Sequence, residues 1–411
     1  MICFSSTKIK LIIVAVFLLL LVGSSFATLV IKGNDILFCE EVVSSFYEDD
    51  SYISKGSVRL RNFLLYSPFS TGVDYIFNTK DYKVKKKVEE GVERVFATSV
   101  PEGLLINDVE EIIQNIGYKE GVVYFNLAPK VDKFEVMEHF FIVNSLLKLT
   151  ASFNEVELVQ FLVDGVESNL SPYLNLKKPI KARRTKGAKV AIIIDDFGNH
   201  AKGTEDMFKL DQQITAAVIP FKERSREEAL IAKEKGFDVI IHLPMEPNKG
   251  KMSWLGSKPI LTSLSDDEIK KRMEAAIEDL GVAIGFNNHT GSKATADRRV
   301  MRAVLEVAKE YDLIAIDSKT SGESVVEEVC KELGVRYLER DIFLDGRRDY
   351  GEVRDATLLL TGQAIKRGSA IGIGHVGPHG GDVTSRVLKE LLPSLEEIGI
   401  EVVGVSKLVG Y

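Results

Sequence analysis

Asp195 and Asp196 stand side by side at the end of the apolar run Ala191-Ile192-Ile193-Ile194, just before Phe197-Gly198. Such a run reads as a buried strand, and strand ends are where α/β proteins keep their chemistry. Adjacent residues of a strand point to opposite faces, but at a frayed end both carboxylates can reach one pocket. One could then hold a metal while its neighbour takes a proton from water. Alone, an Asp-Asp pair fits a loop start or a helix cap equally well. What adds weight is the polar residues after later strand-like runs: His242 ahead of Leu243-Pro244-Met245-Glu246, Asn287-Asn288-His289, Asp317-Ser318-Lys319 and Gly374-His375. Imidazole and carboxylate with a position left for water are the donor set of a catalytic Zn²⁺-type site. A second carboxylate would remove the water proton, and a separate His would protonate a leaving group.

The elements that must position these residues are legible from residue 189 onward. Apolar cores recur at 190–194, 214–219, 237–241, 282–286, 313–316, 335–338, 370–373 and 400–405, with helical stretches between them. Ser225 with Glu228, and Ser265 with Glu268, have capping-box spacing, and Gly236 and Gly281 mark the stops of those helices. Short apolar strands alternating with amphipathic helices predict a parallel sheet covered on both faces. Seven or eight such units suit a closed or nearly closed (β/α) barrel better than an open sheet. The glycines at 374, 377, 380 and 381 match neither a Walker nor a dinucleotide fingerprint. His200 and His379 read as loop residues. Trp254, in the loop after the third strand, could stack on a sugar ring at the barrel mouth or simply pack its loop.

Upstream the pattern is α+β: strand-like stretches at 58–66 and 121–127, a helix over 134–150, and a third strand at 158–163. His139 lies within that apolar helix and reads as a packed residue. Residues 28–57 look irregular. Lys177, Lys178, Lys181, Arg183, Arg184, Lys186 and Lys189 make 181–188 the heart of a basic interdomain linker, with a patch for anionic polymer or lipid headgroups as the sharper alternative. Lys8 and Lys10 precede an apolar run, Leu11–Val22, and Ser25 and Ala27 have signal-peptidase spacing. Residues 1–27 therefore read as a signal peptide or a membrane anchor, with the bulk of the chain exported. The chain of 411 residues is 45% hydrophobic and 27% charged, an ordinary globular composition. A formal net charge of -7 argues against a general nucleic-acid binder. Cys3, Cys39 and Cys330 are too few and scattered for a disulfide framework or a thiolate zinc site.

Two resemblances complete the reading. Residues 58–180 resemble the sporulation and germination (GerMN) module, through Val100-Pro101-Glu102-Gly103, 122–127, Asn144-Ser145-Leu146-Leu147 and, above all, Val159-Gln160-Phe161-Leu162-Val163-Asp164-Gly165. Residues 189–411 resemble the divergent polysaccharide deacetylases, distant relatives of the NodB-type carbohydrate esterases. Asp195-Asp196-Phe197-Gly198 stands for that family's first motif, 236–242 for the lead-in to its metal-binding His, and Ile373-Gly374-His375 for the strand of its acid. The resemblance implies Asp195 as base, His375 as general acid, and a divalent metal, most simply zinc, on Asp196 and His242. Glu246 stands where better-known relatives have a second metal His, so the third ligand is His289 or Glu246. Asp317 or Asp341 loosely represents the late acidic motif, and Asn287, Asn288, Glu246 and Trp254 are candidate substrate contacts. The implied substrate is an N-acetylated envelope polysaccharide, peptidoglycan-like or other. The rival reading is an envelope glycan-binding or scaffold protein that keeps the fold with little or no hydrolysis.

Overall fold

The structure, a computed structural model, describes residues 29–32, 35–38, 79–102, 104, 112–182, 187–251, 253 and 255–409. The chain divides into two compact units, Met1–Lys87 with Ile116–Glu120 and Val88–Asn115 with Gly121–Tyr411. In the first, β1 (Leu29–Lys32) and β2 (Asp35–Phe38) form an antiparallel pair, Val30 opposite Leu37 and Ile31 opposite Ile36. Irregular chain was expected there; the β-branched Val30, Ile31 and Ile36 favour extended backbone instead. α1 (Thr79–Thr98) and β3 (Ile113–Lys119) each run across the boundary between the units. The strand expected at 58–66, the apolar N-terminal segment and Trp254 lie outside the described residues. Among the described residues no helix is long and apolar enough to cross a membrane.

The second unit begins with a small sheet. β4 (Val122–Leu127), α2 (Val136–Thr150) and β5 (Leu158–Val163) fall where the periodicity places them. β4 and β5 pair in parallel, and β6 (Ile180–Lys181) adds antiparallel to β5. Glu135 and Glu138 cap the start of α2 reciprocally. His139 is buried on that helix and donates from Nε2 to the Val131 carbonyl at 2.7 Å. It is a packed residue, as expected.

The large sheet follows. In chain order come β7 (Lys189–Phe197), α3 (Thr204–Met207), β8 (Thr215–Val218), α4 (Ser225–Glu234), β9 (Asp238–Met245), α5 (Asp266–Leu280) and β10 (Gly285–Thr290). Then come α6 (Arg298–Glu310), β11 (Ile314–Asp317), α7 (Val326–Leu333), β12 (Tyr337–Glu339), β13 (Ile342–Phe343), α8 (Tyr350–Arg367), β14 (Ser369–His375), α9 (Gly381–Glu397) and β15 (Glu401–Val403). The eight expected strands are all present, and β13 is an addition. Every pairing is parallel, in the order β12-β11-β10-β9-β8-β7-β14-β13, with β15 also on β7. Ala191, Ile193, Ala217, Ile240, Ile314, Ile316, Ile371 and Ile373 meet in one buried cluster. Residues from strands so far apart in the order touch only because the sheet curls around them. Its ends, β12 and β13, are not paired with each other, so the sheet is a curled half-barrel, open on one side, where a closed or nearly closed barrel was expected.

That inner cluster fixes which strand-end side chains can meet. Ala191 and Ile193 face inward, so Asp195 does too; Ile240 brings His242, and Ile371 with Ile373 brings His375. Parallel register sets Asn287 beside His242 and His289 beside Pro244, which puts both on the inner face. Ile314 and Ile316 point inward, so Asp317 points out. A truncation such as Ile193→Ala, at a fully buried site, costs about 2–5 kcal/mol.

Candidate metal centre and its flanking acid and base

Asp196 would face away from Asp195 in a regular strand. Instead the register of β7 against β8 shifts between Ile194 and Phe197, and Asp196 takes a left-handed φ of 71°. This bulge turns both carboxylates into one pocket, at a conformational cost of about 1–2 kcal/mol for a non-glycine residue. Glu228 secures the loop that follows. It is 2% exposed and accepts the backbone N–H groups of Gly198, at 2.6 Å, and His200. The expected capping box of α4 is therefore absent: Ser225 Oγ donates to the Ile219 carbonyl and accepts from Lys222 N–H, while Glu228 reaches across to β7. The device recurs in half form on α5, where Ser265 accepts Glu268 N–H and Gly281 closes the helix.

Three donor atoms converge. His242 Nε2 lies 3.0 Å from His289 Nδ1 and 3.3 Å from Asp196 Oδ1, and His289 Nδ1 lies 3.2 Å from that oxygen. Tetrahedral coordination at zinc bond lengths near 2.0–2.1 Å separates neighbouring ligand atoms by about 3.3 Å. The three separations match that figure. Asp196 Oδ1 is buried with no hydrogen bond of good geometry among the described residues, as a vacant ligand atom would be. The group Asp196, His242 and His289 therefore fits a divalent metal.

Asn287 sets the chemistry of this triad. Its Nδ2 donates to Asp195 Oδ1 at 2.8 Å, because a carboxylate can only accept. Its Oδ1 then faces His242 Nδ1 at 2.7 Å, so that ring nitrogen must carry the proton and donate. In neutral His242 the Nε2 lone pair is left aimed at the metal position, as in ligating imidazoles whose other ring nitrogen donates a hydrogen bond. Asn287 was expected to touch substrate; it is fully buried and both its polar groups are used. Replacing it with Leu is expected to weaken metal binding about 10–100-fold, read by metal titration of the apoprotein; an unchanged affinity would remove it from this role.

Asp195 is 1% exposed and lies between the triad and His375: Oδ2 is 3.6 Å from His242 Nε2 and 4.0 Å from His375 Nε2. Burial pushes its carboxyl pKa up, against the opposing pull of His242 and His375. For Asp196, burial pushes the same way but loses to the close imidazoles and charge of His242 and His289, which hold it well below the usual range. His375 Nδ1 donates to Asp345 Oδ1 at 2.8 Å, and its backbone N–H to Asp345 Oδ2 at 2.7 Å. Thr384 also donates to Asp345, and Phe343 stacks on the imidazole with ring centroids 5.9 Å apart. Burial alone would lower the His375 pKa; the Asp345 hydrogen bond and the Asp195 charge outweigh it and raise it to about 9.

The remaining expected residues lie elsewhere. Glu246 accepts Thr262 N–H and Oγ1–H, both at 2.7 Å, on one oxygen and the Lys293 ammonium on the other. It is thus pinned outside the triad, and His289 takes the third position. Glu246→Gln is expected to leave metal stoichiometry unchanged by elemental analysis; loss of the metal would return Glu246 to the site. Asp317 is outward-facing and caps its own turn by accepting Lys319 N–H. Asp341 accepts from Arg367 and from Ile371 N–H. Neither holds His375, whose partner is Asp345. Asn288 is 4% exposed and tied to Ser318, Thr290 and Thr320. It supports the β10–β11 strand ends and is not free to meet a substrate. Asp345 was missed because β13 is two residues long and leaves no periodic signal; its spacing of two from Phe343 is the only hint.

A sequence profile described as divergent polysaccharide deacetylase matches residues 192–409. The chain belongs to the divergent polysaccharide deacetylase family. An uncharacterized protein of Haemophilus influenzae is 37% identical over 221 residues, covering 54% of this chain and 76% of the relative. The uncharacterized YibQ protein of Escherichia coli is 32% identical over 222 residues, covering 54% and 66% respectively. Among solved structures, an uncharacterized Agrobacterium tumefaciens protein superposes with a TM-score of 0.50 at 21% identity, covering 54% of this chain and 89% of its own. That likeness extends to the fold alone. All these matches cover about half of this deacetylase-family chain.

Proposed function

We propose that this protein is a metal-dependent hydrolase, an N-deacetylase acting outside the membrane on an N-acetylated cell-envelope polysaccharide. The observation that carries the reading is one pocket in which a three-atom metal triad has a buried carboxylate and a carboxylate-held imidazole at its side. A divalent metal, zinc by its donor set, would be held by Asp196, His242 and His289 and would supply Lewis acidity toward water and an acyl oxygen. Asp195 accepts the proton of the attacking water, its carboxylate fixed by Asn287. His375, protonated and held by Asp345, delivers a proton from Nε2 to the departing nitrogen. The acetamide C–N bond breaks, giving acetate and a free amine. Export rests on the N-terminal Lys8, Lys10 and apolar run, and the membrane enters only through that segment. Residues 58–180 would serve as a GerMN-like module, joined through the basic 181–188.

Acetate release from an N-acetylhexosamine oligosaccharide, by the zinc-loaded full chain and after chelation, tests the reading. Release that stops on chelation and returns with metal is expected. Tight glycan binding without any release would leave a binding or scaffold protein instead.

A further inference from the structure

The wall of the pocket beside His375 carries a cation that the hydrolytic reading does not use. The nine-stranded sheet is open between β12 and β13, and Arg340 and Asp341 bridge that gap. The Arg340 guanidinium lies over the Phe343 ring at 3.7 Å, and Phe343 in turn stacks on His375. Its Nε and Nη2 donate to the carbonyls of Ser318 and Lys319 at 2.7 and 3.1 Å. Among the described residues no carboxylate forms an ion pair with it, although it is partly withdrawn from water. The Asp317, Asp341 and Asp195 carboxylates act on it only through space, so a partly buried guanidinium whose direct partners are two carbonyls and a ring retains donor capacity for an anion, a role in which Arg excels.

Other loops at the strand ends also carry cations. Lys222 follows β8, Lys258 follows β9 and sits 4.5 Å over the Phe221 ring, and Arg348 follows β13 against Gly380. None of them forms an ion pair among the described residues. Their loops follow strands of the same parallel sheet and so lie toward one end of it. Such a rim concentrates anionic ligands at the mouth.

We propose that Arg340, backed by this rim, binds an anionic substituent of the glycan, so that the substrate is an acidic polysaccharide rather than a neutral one. The inference rests on the hydrolase reading for its substrate and goes beyond it in naming the charge. Arg340 acts here as a specificity residue. Through the Phe343 ring it stands one side chain away from His375.

The test uses three N-acetylhexosamine tetramers of equal length: neutral, carboxylate-bearing and phosphate-bearing. kcat/KM and Kd are measured for the metal-loaded full chain, for Arg340→Lys and for Arg340→Gln. The wild type is expected to favour one anionic tetramer over the neutral one at least tenfold at low salt, with a gap that narrows as salt is added. Which anionic tetramer wins tells carboxylate from phosphate. Arg340→Gln is expected to erase the preference mainly through KM, and Arg340→Lys to keep part of it. No preference in the wild type would overturn the proposal, as would an equal loss on neutral and anionic tetramers in Arg340→Gln, which would leave Arg340 as a brace between β11 and β13. If no tetramer releases acetate, the hydrolase reading fails, and the same comparison made on Kd alone still decides the role of Arg340.

Discussion

Asp195→Asn is expected to lower turnover about 10²–10⁴-fold, the range carried by a general base, while each chain keeps its metal. The substitution is nearly isosteric. The Asn carbonyl can still accept from Asn287 Nδ2, so His242 keeps its tautomer and the triad its geometry. A buried charge is removed from a residue only 1% exposed, so folding stability is not expected to suffer. What is lost is the one carboxylate, among the described residues, that faces both the triad and His375 without belonging to the triad. Turnover and metal content measured together decide the matter: retained turnover would remove Asp195 as the base, and lost metal would make it a ligand.

Asp345→Asn is expected to move the alkaline limb of the pH profile. A general acid works only while protonated, so activity that depends on His375 is full below its pKa and falls above it. With Asp345 in place that pKa stands at about 9. Without the carboxylate it should fall toward the ordinary value near 6.5. At pH 8 the protonated fraction then drops about 30-fold, whereas at pH 6 it changes by less than about twofold. A loss that is steep at pH 8 and slight at pH 6 is the expected signature. A uniform loss at every pH would mean that Asp345 only supports the fold. The same shift has a stability counterpart: a His whose folded pKa is raised stabilises the fold fully below about 6.5 and loses that contribution as pH rises through about 9.

Much of this is legible in the sequence alone, for a physical reason. Parallel strands buried on both faces are continuous apolar runs, so their ends stand out, and five of those ends carried polar residues worth testing. Asp195, Asp196, His242, His289 and His375, which the fold gathers at one pocket, all stand at such ends. Two of the expected residues fall outside the pocket for one reason. Asp317 and Asn288 sit at strand ends as well, but on the outer face, and strand parity against Ile316 and His242 would have rejected both. Asn287 passes the parity test and was still misread, because its partners, Asp195 and His242, are 92 and 45 residues away. Glu228 looked like a helix cap, since its spacing from Ser225 is that of a capping box; only the folded chain shows it holding Gly198 and His200. Asp345 and Arg340 flank a strand of two residues, too short for any pattern to mark.

Metal content per chain, measured on the purified full-length protein after zinc loading and desalting, tests the central claim most directly. The wild type is expected to retain about one zinc, and His242→Ala and His289→Ala to retain almost none, since each removes one of three converging atoms. A wild type that binds no zinc, or His variants that hold it as well as the wild type does, would contradict the metal centre and the hydrolytic mechanism built on it.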